Sequence, residues 1–423
     1  MPMRSPLKRP IRALRRAWRR NRAVTGNRVD LLCCGEFYFP ALCEAIDAAT
    51  RSVRMETYIY THDASGECVT RALVEAARRG VAVYVVVDGI GTGEPPQEVI
   101  SAFREAGVHY RVFRPVRWWV PRRRYLRRLH RKLAVIDDRL GFVGGINIID
   151  DLNHAPLQDS GYGPRYDFAV RVEGPIVGRI SDTMRSLWTR LTRTGNAGAS
   201  ASASPAAAVV SAPGADTQPD VAAGTVSIHD DVRAALVLRD NVRNRRAIER
   251  EYLVALGNAR HDVIIANAYF LPGLRFRRAL LACRRRGVRV RLLLQGRVEY
   301  RLQHHATQAL YGQLLDAGVE IYEYTDSFLH AKVAVVDEVW ATVGSSNIDP
   351  FSLLLAREAN LVVWDDTFSA SLRDALELAM TGRSVAVERE LHDRRPRWRR
   401  ALDWLAYGLV SAGVMISGHA GRY

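Results

Sequence analysis

The chain has 423 residues, 48% of them hydrophobic and 25% charged, so it is long enough for two domains with buried cores and too apolar for global disorder. Its net charge of +16 comes from two local clusters, because residues 1–28 and 111–132 each contain ten lysines and arginines and no acidic residue. Such clusters favour an anionic partner, either a membrane surface or a nucleic acid.

Five cysteines are spread over the chain, and their number and spacing limit their roles. They are Cys33, Cys34, Cys43, Cys68 and Cys283. An odd number without a Cys-x-x-Cys pair argues against a disulfide framework and against a structural zinc site. No apolar segment ahead of a small-residue cleavage site is found at the N-terminus, so no secretory signal is expected. A cytosolic location at the inner face of a membrane is favoured.

Residues 1–28 are predicted to form a basic amphipathic arm. Ile11, Leu14 and Trp18 follow helical spacing, with arginines around them. A helix with this pattern is suited to the surface of an anionic leaflet. A disordered basic tail is the alternative interpretation.

Two similar lobes are predicted on either side of a linker. Residues 195–225 are rich in alanine, serine, glycine and proline, a composition that buries too little apolar surface to become ordered. The flanking segments, 29–194 and 226–385, both alternate β-branched runs with helical patterns, and a helix–glycine–valine joint recurs in each. An α/β fold is therefore predicted, in which each lobe is a mixed sheet flanked by helices.

The duplication is most specific at two motifs. Five positions recur at the same offsets: His130, Lys132, Asp137, Gly144 and Asn147 in the first half, and His330, Lys332, Asp337, Gly344 and Asn347 in the second. A histidine and a lysine two residues apart on a strand point to the same face, so both can contact one ligand. One active site at the interface of the lobes would then surround a phosphodiester with two imidazoles, two ammonium groups and two amides.

This set of groups predicts phosphoryl-transfer chemistry. The cations and amides would neutralise phosphate oxygens, while one imidazole acts as the nucleophile and the other as the general acid. Since no acidic cluster has Mg²⁺-like spacing, catalysis without a metal or cofactor is expected. Asp137 and Asp337 lie at the far ends of the motif strands, so they are expected to hold the fold more than to touch the substrate.

Two further carboxylates are candidates for orienting the imidazoles, since a nucleophilic histidine needs an acceptor for its other ring nitrogen. Asp167 begins a strand-like segment downstream of the first motif, and Glu358 precedes a similar segment downstream of the second. We expect Asp167 to orient His130 and Glu358 to orient His330. Exposed acids at strand ends are the alternative.

The paired H-x-K-x4-D-x6-G-(G/S)-x-N motifs resemble the phospholipase D superfamily. Segments that resemble bacterial cardiolipin synthases, of the type without N-terminal transmembrane helices, are 54–60, 143–147, 268–272, 341–350 and 358–361. This resemblance covers roughly residues 28–385. It implies transfer of a phosphatidyl group through a covalent phosphohistidine to the hydroxyl of a second phospholipid, as when two phosphatidylglycerols give cardiolipin and glycerol.

The resemblance also implies roles for the two histidines. The family places the nucleophile in the first motif, hence at His130, and leaves His330 as acid and then base; the sequence alone is too symmetric to decide. One position departs from the symmetry, because Gly145 stands where the second motif has Ser345. A hydroxyl donor is thus expected on one side only, and the half-sites are expected to differ.

Two more segments are predicted to contact a membrane. Trp118 and Trp119 lie among arginines ahead of the first motif, where tryptophan suits the headgroup region and arginine pairs with phosphate; a loop that stacks on nucleic-acid bases would look similar. In the C-terminal segment, residues 386–423, an uncharged stretch of about fifteen residues is short for a transmembrane helix. A shallow or re-entrant anchor is favoured over a buried core helix.

The sequence therefore predicts a peripheral membrane phosphatidyltransferase on the cytoplasmic side, with anionic phospholipids such as phosphatidylglycerol as partners and no nucleic acid. A phospholipase D that passes the intermediate to water, or a nuclease, would use the same site. A non-enzymatic membrane- or nucleic-acid-binding scaffold is disfavoured, since both motifs retain their histidine, lysine and asparagine. The oligomeric state is left open.

Overall fold

A computed structural model describes residues 23–93, 96–115, 127–153, 162–193, 231–240, 244–349 and 356–414. Three predicted features fall wholly or largely outside these ranges: most of the basic arm, the Trp118–Trp119 segment and the linker 195–225. The boundary of the arm at residue 28 is wrong, because residues 24–28 already belong to the first strand.

The first lobe alternates strands and helices as predicted, and adds a hairpin and a two-residue strand around the first motif. Its strands are β1 (Val24–Cys33), β2 (Ser52–Thr57), β3 (Ala82–Asp88), β4 (His109–Phe113), β5 (Arg128–Leu129), β6 (Lys132–Ile136), β7 (Leu140–Gly144) and β8 (Phe168–Glu173). Its helices are α1 (Cys34–Asp47), α2 (Ala64–Arg78), α3 (Gln97–Ala106) and α4 (Ile176–Arg193).

The second lobe repeats the order and carries extra C-terminal helices. Its strands are β9 (Val232–Arg239), β10 (Asp262–Asn267), β11 (Arg289–Gln295), β12 (Glu320–Tyr324), β13 (Lys332–Val336), β14 (Trp340–Gly344), β15 (Ala356–Trp364) and β16 (Ser384–Ala386). Its helices are α5 (Ala247–Asn258), α6 (Leu274–Arg285), α7 (Arg301–Asp316), α8 (Asp366–Gly382), α9 (Arg389–Asp393) and α10 (Arg397–Val414).

Glycines end the helices that lead into strands, as the repeated joint predicted. Gly107 follows α3 at a φ of 78°, and Gly318 after α7 has a φ of 79°. A residue without a Cβ adopts this left-handed conformation at little cost, so the chain can turn at once into the next strand.

The two lobes share one continuous mixed sheet. Its strand order is β16-β12-β11-β10-β13-β14-β15-β9-β1-β8-β7-β6-β2-β3-β4, with β5 beside β15. Strands β2, β3 and β4 run parallel to one another, as do β10, β11 and β12, whereas the central strands are antiparallel. The lobes join where β1 pairs with β9. The predicted α/β fold with mixed sheets is confirmed.

One hydrophobic core spans both lobes and lies beneath the motif strands. It combines Phe168 and Val170 of β8 with Val333 of β13 and Leu361 of β15, all of them fully buried. Every residue of β6 and of β13 is buried, as expected for strands covered on both faces. The motif strands therefore have rigid support from both halves of the chain.

The C-terminal segment, which was predicted to be a shallow or re-entrant anchor, is in part a core helix. Ala406 and Val410 of α10 are buried in the core of the second lobe. Asp403 is 2% exposed; it accepts a hydrogen bond from Arg395 at 2.8 Å and lies 2.8 Å from His305 Nδ1 on α7. Among the residues described, no helix is long and apolar enough to cross a membrane.

Candidate active site

The two histidine–lysine pairs converge at the centre of the shared sheet. Lys132 and Lys332 begin the buried strands β6 and β13, and each ammonium donates to the carbonyl of the histidine two residues before it, at 2.8 Å for His130. The charge of Lys332 acts on the first pair, because it lowers the pKa of Lys132 and of His130 in addition to the larger effect of burial. The structure thus brings both halves of the predicted site together.

Each imidazole is held by a carboxylate of the opposite lobe. His130 Nδ1 lies 3.0 Å from Glu358 Oε2, and His330 Nδ1 lies 2.6 Å from Asp167 Oδ2. The predicted acids do orient the histidines, but the predicted pairing of Asp167 with His130 and of Glu358 with His330 is wrong.

Backbone pairing between the lobes explains why each histidine contacts the acid of the other lobe. Strand β5 runs parallel to β15, and the His130 amide donates to the Arg357 carbonyl at 3.0 Å, immediately before Glu358. On the other side the His330 amide donates to the Tyr166 carbonyl at 2.8 Å, immediately before Asp167. Each motif therefore lies beside the chain of the other lobe.

Ser345 and Gly145 mark a real difference between the half-sites, although the serine hydroxyl does not point to a substrate position. Ser345 Oγ donates to Glu358 Oε2 at 2.6 Å. On the other side, a Cβ on Gly145 would lie 2.3 Å from Asp167 Oδ1. Glu358, which has the longer side chain, is thus supported by Ser345, and Asp167, which has the shorter one, occupies the space beside Gly145.

Asp137 and Asp337 lie away from the imidazoles and anchor strand starts. Asp137 accepts hydrogen bonds from the amides of Thr50, Arg51 and Ser52 at 2.7–2.8 Å. Asp337 accepts equivalent bonds from residues 260–262 at 2.7–3.0 Å. Their φ values of 54° and 52° belong to the tight turns that connect the motif hairpins. This contact pattern agrees with the structural role expected for both.

The two motif asparagines are buried beside the pairs. Asn147 is 5% exposed and its Oδ1 accepts from the Ile59 amide at 3.1 Å, which fixes the orientation of its NH₂ group. Asn347 is 3% exposed, and its Oδ1 has no hydrogen-bond partner among the described residues. A buried amide with an open position is suited to a polar ligand.

The electrostatics of the site keep both imidazoles neutral and both acids ionised. Burial, together with Lys332, lowers the pKa of His330 to about 3 against the pull of Asp167, and burial also lowers the pKa of His130. Burial alone would raise the pKa of Asp167 and of Glu358, but the neighbouring cations and hydrogen bonds lower both. Because the Nδ1–H of each neutral imidazole donates to a carboxylate, its Nε2 is unprotonated and keeps its lone pair.

The two lysines form an anion site. Burial lowers the pKa of Lys132 to about 7 and of Lys332 to about 8, although nearby carboxylates oppose the shift. A negatively charged phosphodiester between them would favour both ammonium forms. The arrangement can therefore bind a phosphodiester, attack its phosphorus from one imidazole and protonate the leaving oxygen from the other.

Residues that sequence reasoning missed position the loops ahead of the histidines. Asp88 accepts from the Leu129 amide at 2.7 Å and pairs with Arg128 at 2.6 Å. Gln295 takes the equivalent place in the second lobe, where its Oε1 accepts from the Leu329 amide at 2.9 Å. Both end the central parallel strand of their lobe, and aligning the two halves of the sequence would have revealed them.

Comparisons with known proteins agree with the resemblance carried by the motifs. Residues 42–153 and 252–379 match the family described as "Cardiolipin synthase, PLD-like domain". Cardiolipin synthase B of Escherichia coli K12 is 37% identical over 395 residues, which are 90% of this chain and 87% of the relative. Cardiolipin synthase A of Pseudomonas fluorescens Pf-5 is 29% identical over 88% of this chain and 72% of its own length.

A solved structure has the same fold. Phosphatidylserine synthase of Haemophilus influenzae Rd KW20 aligns with a TM-score of 0.61 over 96% of this chain and 99% of that protein, at 12% sequence identity. At this identity the likeness concerns the arrangement of the two lobes.

Proposed function

Since the chain belongs to the cardiolipin synthase family of the phospholipase D superfamily and is an enzyme of that type, we propose that it converts two phosphatidylglycerols into cardiolipin and glycerol. The observation that carries this proposal is the pair of neutral imidazoles, each held by a carboxylate of the other lobe, beside two lysines. One phosphodiester can contact both histidines in such a site.

The reaction is proposed to proceed in two displacements. His130 Nε2 attacks the phosphorus of the first phosphatidylglycerol, the phosphorus–oxygen bond to glycerol breaks, and His330 gives its proton to the departing alkoxide. The hydroxyl of a second phosphatidylglycerol then gives its proton to His330 and attacks the phosphorus, which breaks the phosphorus–nitrogen bond and frees His130. The bound phosphodiester places a negative charge beside His330 and so favours its protonated form before the first step.

The enzyme is further proposed to work at the cytoplasmic surface of the membrane, with α10 as one contact. Four apolar side chains of α10 lie along one stripe of the helix and are exposed: Trp398 (65% exposed), Leu402 (39%), Leu405 (59%) and Leu409 (57%). Trp404, which is 57% exposed, lies beside this stripe. Arg397, Arg399 and Arg400 at its start are exposed too. Apolar side chains beside arginines fit a leaflet of anionic lipids.

Product identification tests the proposed reaction. The purified chain is incubated with phosphatidylglycerol vesicles, and the lipids are separated by mass. Cardiolipin with an equal amount of glycerol is expected. Phosphatidic acid as the main product would instead show a hydrolase, and cleavage of DNA without lipid turnover would show a nuclease.

A further inference from the structure

A cleft that is open to solvent lies in the second lobe. Its lining is apolar at Ala268 and Phe270 and polar or charged at Gln295, Arg297, Glu299 and His304. An apolar floor with a few polar groups is typical of a site for a small molecule.

The two lobes differ at one position that lines the cleft. In the first lobe Tyr58 covers the motif histidine, with 4.8 Å between its ring centroid and that of His130. The register of the strands places Ala268 at the equivalent position, where its amide donates to the Ala331 carbonyl at 3.0 Å. The side chain at this position is therefore an aromatic ring in the first lobe and a methyl group in the second, while the two motif imidazoles are equally exposed, at 17% and 18%.

The polar groups of the cleft are coupled to the His330 half of the site. Gln295 holds the amide of Leu329, the residue before His330, through its Oε1. Its Nε2 is buried and has no hydrogen-bond partner among the described residues. Burial lowers the pKa of Lys332, and the carboxylates of Asp167, Glu358 and, least of the three, Glu299 oppose this shift. A ligand in the cleft would thus lie next to the second motif.

The chemistry of these groups fits the end of a polyol. A vicinal diol donates hydrogen bonds to a carboxylate and accepts them from an amide NH₂, and Glu299 and Gln295 Nε2 offer these two partners. The Glu299 carboxylate also accepts a hydrogen bond from the Tyr269 hydroxyl, which holds it at the edge of the cleft. The lining contains one basic residue, Arg297, and one acidic residue, Glu299, and this balance of charge suits a neutral hydroxylated group.

In-line displacement requires the leaving oxygen to lie opposite the nucleophile, on the side of the general acid. We propose that the Ala268 cleft binds the glycerol headgroup, first the glycerol that leaves the donor and then the terminal glycerol of the acceptor, with Glu299 as a residue that determines specificity. This inference rests on the proposed function. It also agrees with His330 as the acid and base, because Gln295 of the cleft contacts the residue before His330.

Competition between two soluble acceptors tests the cleft. The full chain acts on phosphatidylglycerol vesicles in the presence of deuterated glycerol and 1-propanol, and the yields of deuterated phosphatidylglycerol and phosphatidylpropanol are measured by mass spectrometry. The parent enzyme is expected to prefer glycerol. Glu299→Ala is expected to lower the glycerol-to-propanol ratio about tenfold or more, the value of a hydrogen bond to a charged group, with the rate of phosphatidylpropanol formation retained.

Two further variants make the result specific. Glu105→Ala, at an exposed position of α3, should keep the ratio of the parent. Ala268→Tyr restores the tyrosine of the first lobe and should suppress glycerol and phosphatidylglycerol as acceptors more than propanol. An unchanged ratio in Glu299→Ala would overturn the glycerol subsite while the transferase remains. A parent chain that turns over no phosphatidylglycerol with any acceptor would overturn the proposed function as well.

Discussion

Glu358 and Asp167 are fully buried acids whose partners lie in the other lobe. Such an acid fixes which ring nitrogen of its histidine carries the proton and stabilises the imidazolium when it forms. Because Ser345 also donates to Glu358, the orientation of His130 depends on two residues of the second lobe. Replacing one acid should therefore affect one histidine and leave the other in place.

We expect Glu358→Gln to lower kcat on the order of 10⁴-fold, the effect of replacing a carboxylate that holds a catalytic imidazole by its amide. The cross-lobe pairing gives a sharper readout by NMR of the imidazole N–H protons. The resonance of His130 should be lost or shifted in Glu358→Gln and unchanged in Asp167→Asn. The reverse pattern would mean that each acid serves the histidine of its own lobe.

The lysines give the site a pH dependence of known sign. Their pKa values are lowered to about 7 for Lys132 and about 8 for Lys332, so both lose their charge as the pH rises through these values. We expect kcat/KM to fall above about pH 7 as Lys132 loses its proton, and more steeply above about pH 8 as Lys332 follows, by about tenfold per unit for each lysine. Lys332→Arg, with a side chain that stays charged, should remove the steeper part of the fall. A profile identical to that of the parent would contradict the role of Lys332.

At the residue scale, spacing along the sequence found the reacting groups but not their partners. The repeated offsets identified His130 and His330, and the place of Asp137 at a strand end indicated its structural role. The partner of each histidine was assigned wrongly because β5 pairs with β15 of the other lobe, a contact between distant segments. Gln295 was missed since a polar residue at a strand end carries no signal until the two halves are aligned.

Among the elements, α10 has one buried and one exposed apolar face. Ala406 and Val410 pack into the core of the second lobe, while Leu405 and Leu409 are 59% and 57% exposed. The hydropathy of the segment does not distinguish the two faces of the helix, and it therefore predicted a membrane anchor. The contact of α10 with α7 is not visible in the sequence.

We expect the double variant Leu405→Ser, Leu409→Ser to bind phosphatidylglycerol vesicles at least about tenfold more weakly, because transfer of each leucine from water contributes up to about 1.5–3 kcal/mol. The thermal midpoint should change little, since both side chains are exposed. Sedimentation with vesicles measures the binding. Leu378→Ser is the matched control, on α8 with 66% exposure; an equal loss of binding in that variant would refute the assignment of the α10 face.

On the scale of the whole molecule, the sequence predicted two lobes but not that they share one sheet and one core. The pairing of β1 with β9 joins segments separated by the linker, and no local pattern encodes such a junction. Because residues of both lobes pack into this core, the two lobes are expected to depend on each other for stability.

The shared core predicts cooperative unfolding. We expect tryptophan fluorescence and far-ultraviolet circular dichroism to report one coincident urea transition. Phe168→Ala, which removes a fully buried ring from the shared core, should lower the free energy of unfolding by about 3–5 kcal/mol and keep the transition single. Two separate transitions would show that the lobes fold independently.

The central claim is that one site from two lobes carries the phosphatidyl group on His130 while His330 transfers protons. It is tested most directly by mass spectrometry of His330→Ala after reaction with a phosphatidyl ester of p-nitrophenol, a leaving group that needs no general acid. The account predicts a phosphatidyl adduct that accumulates on His130, and none in His130→Ala. An adduct on another residue, or no adduct while the parent enzyme turns over the same ester, would contradict it.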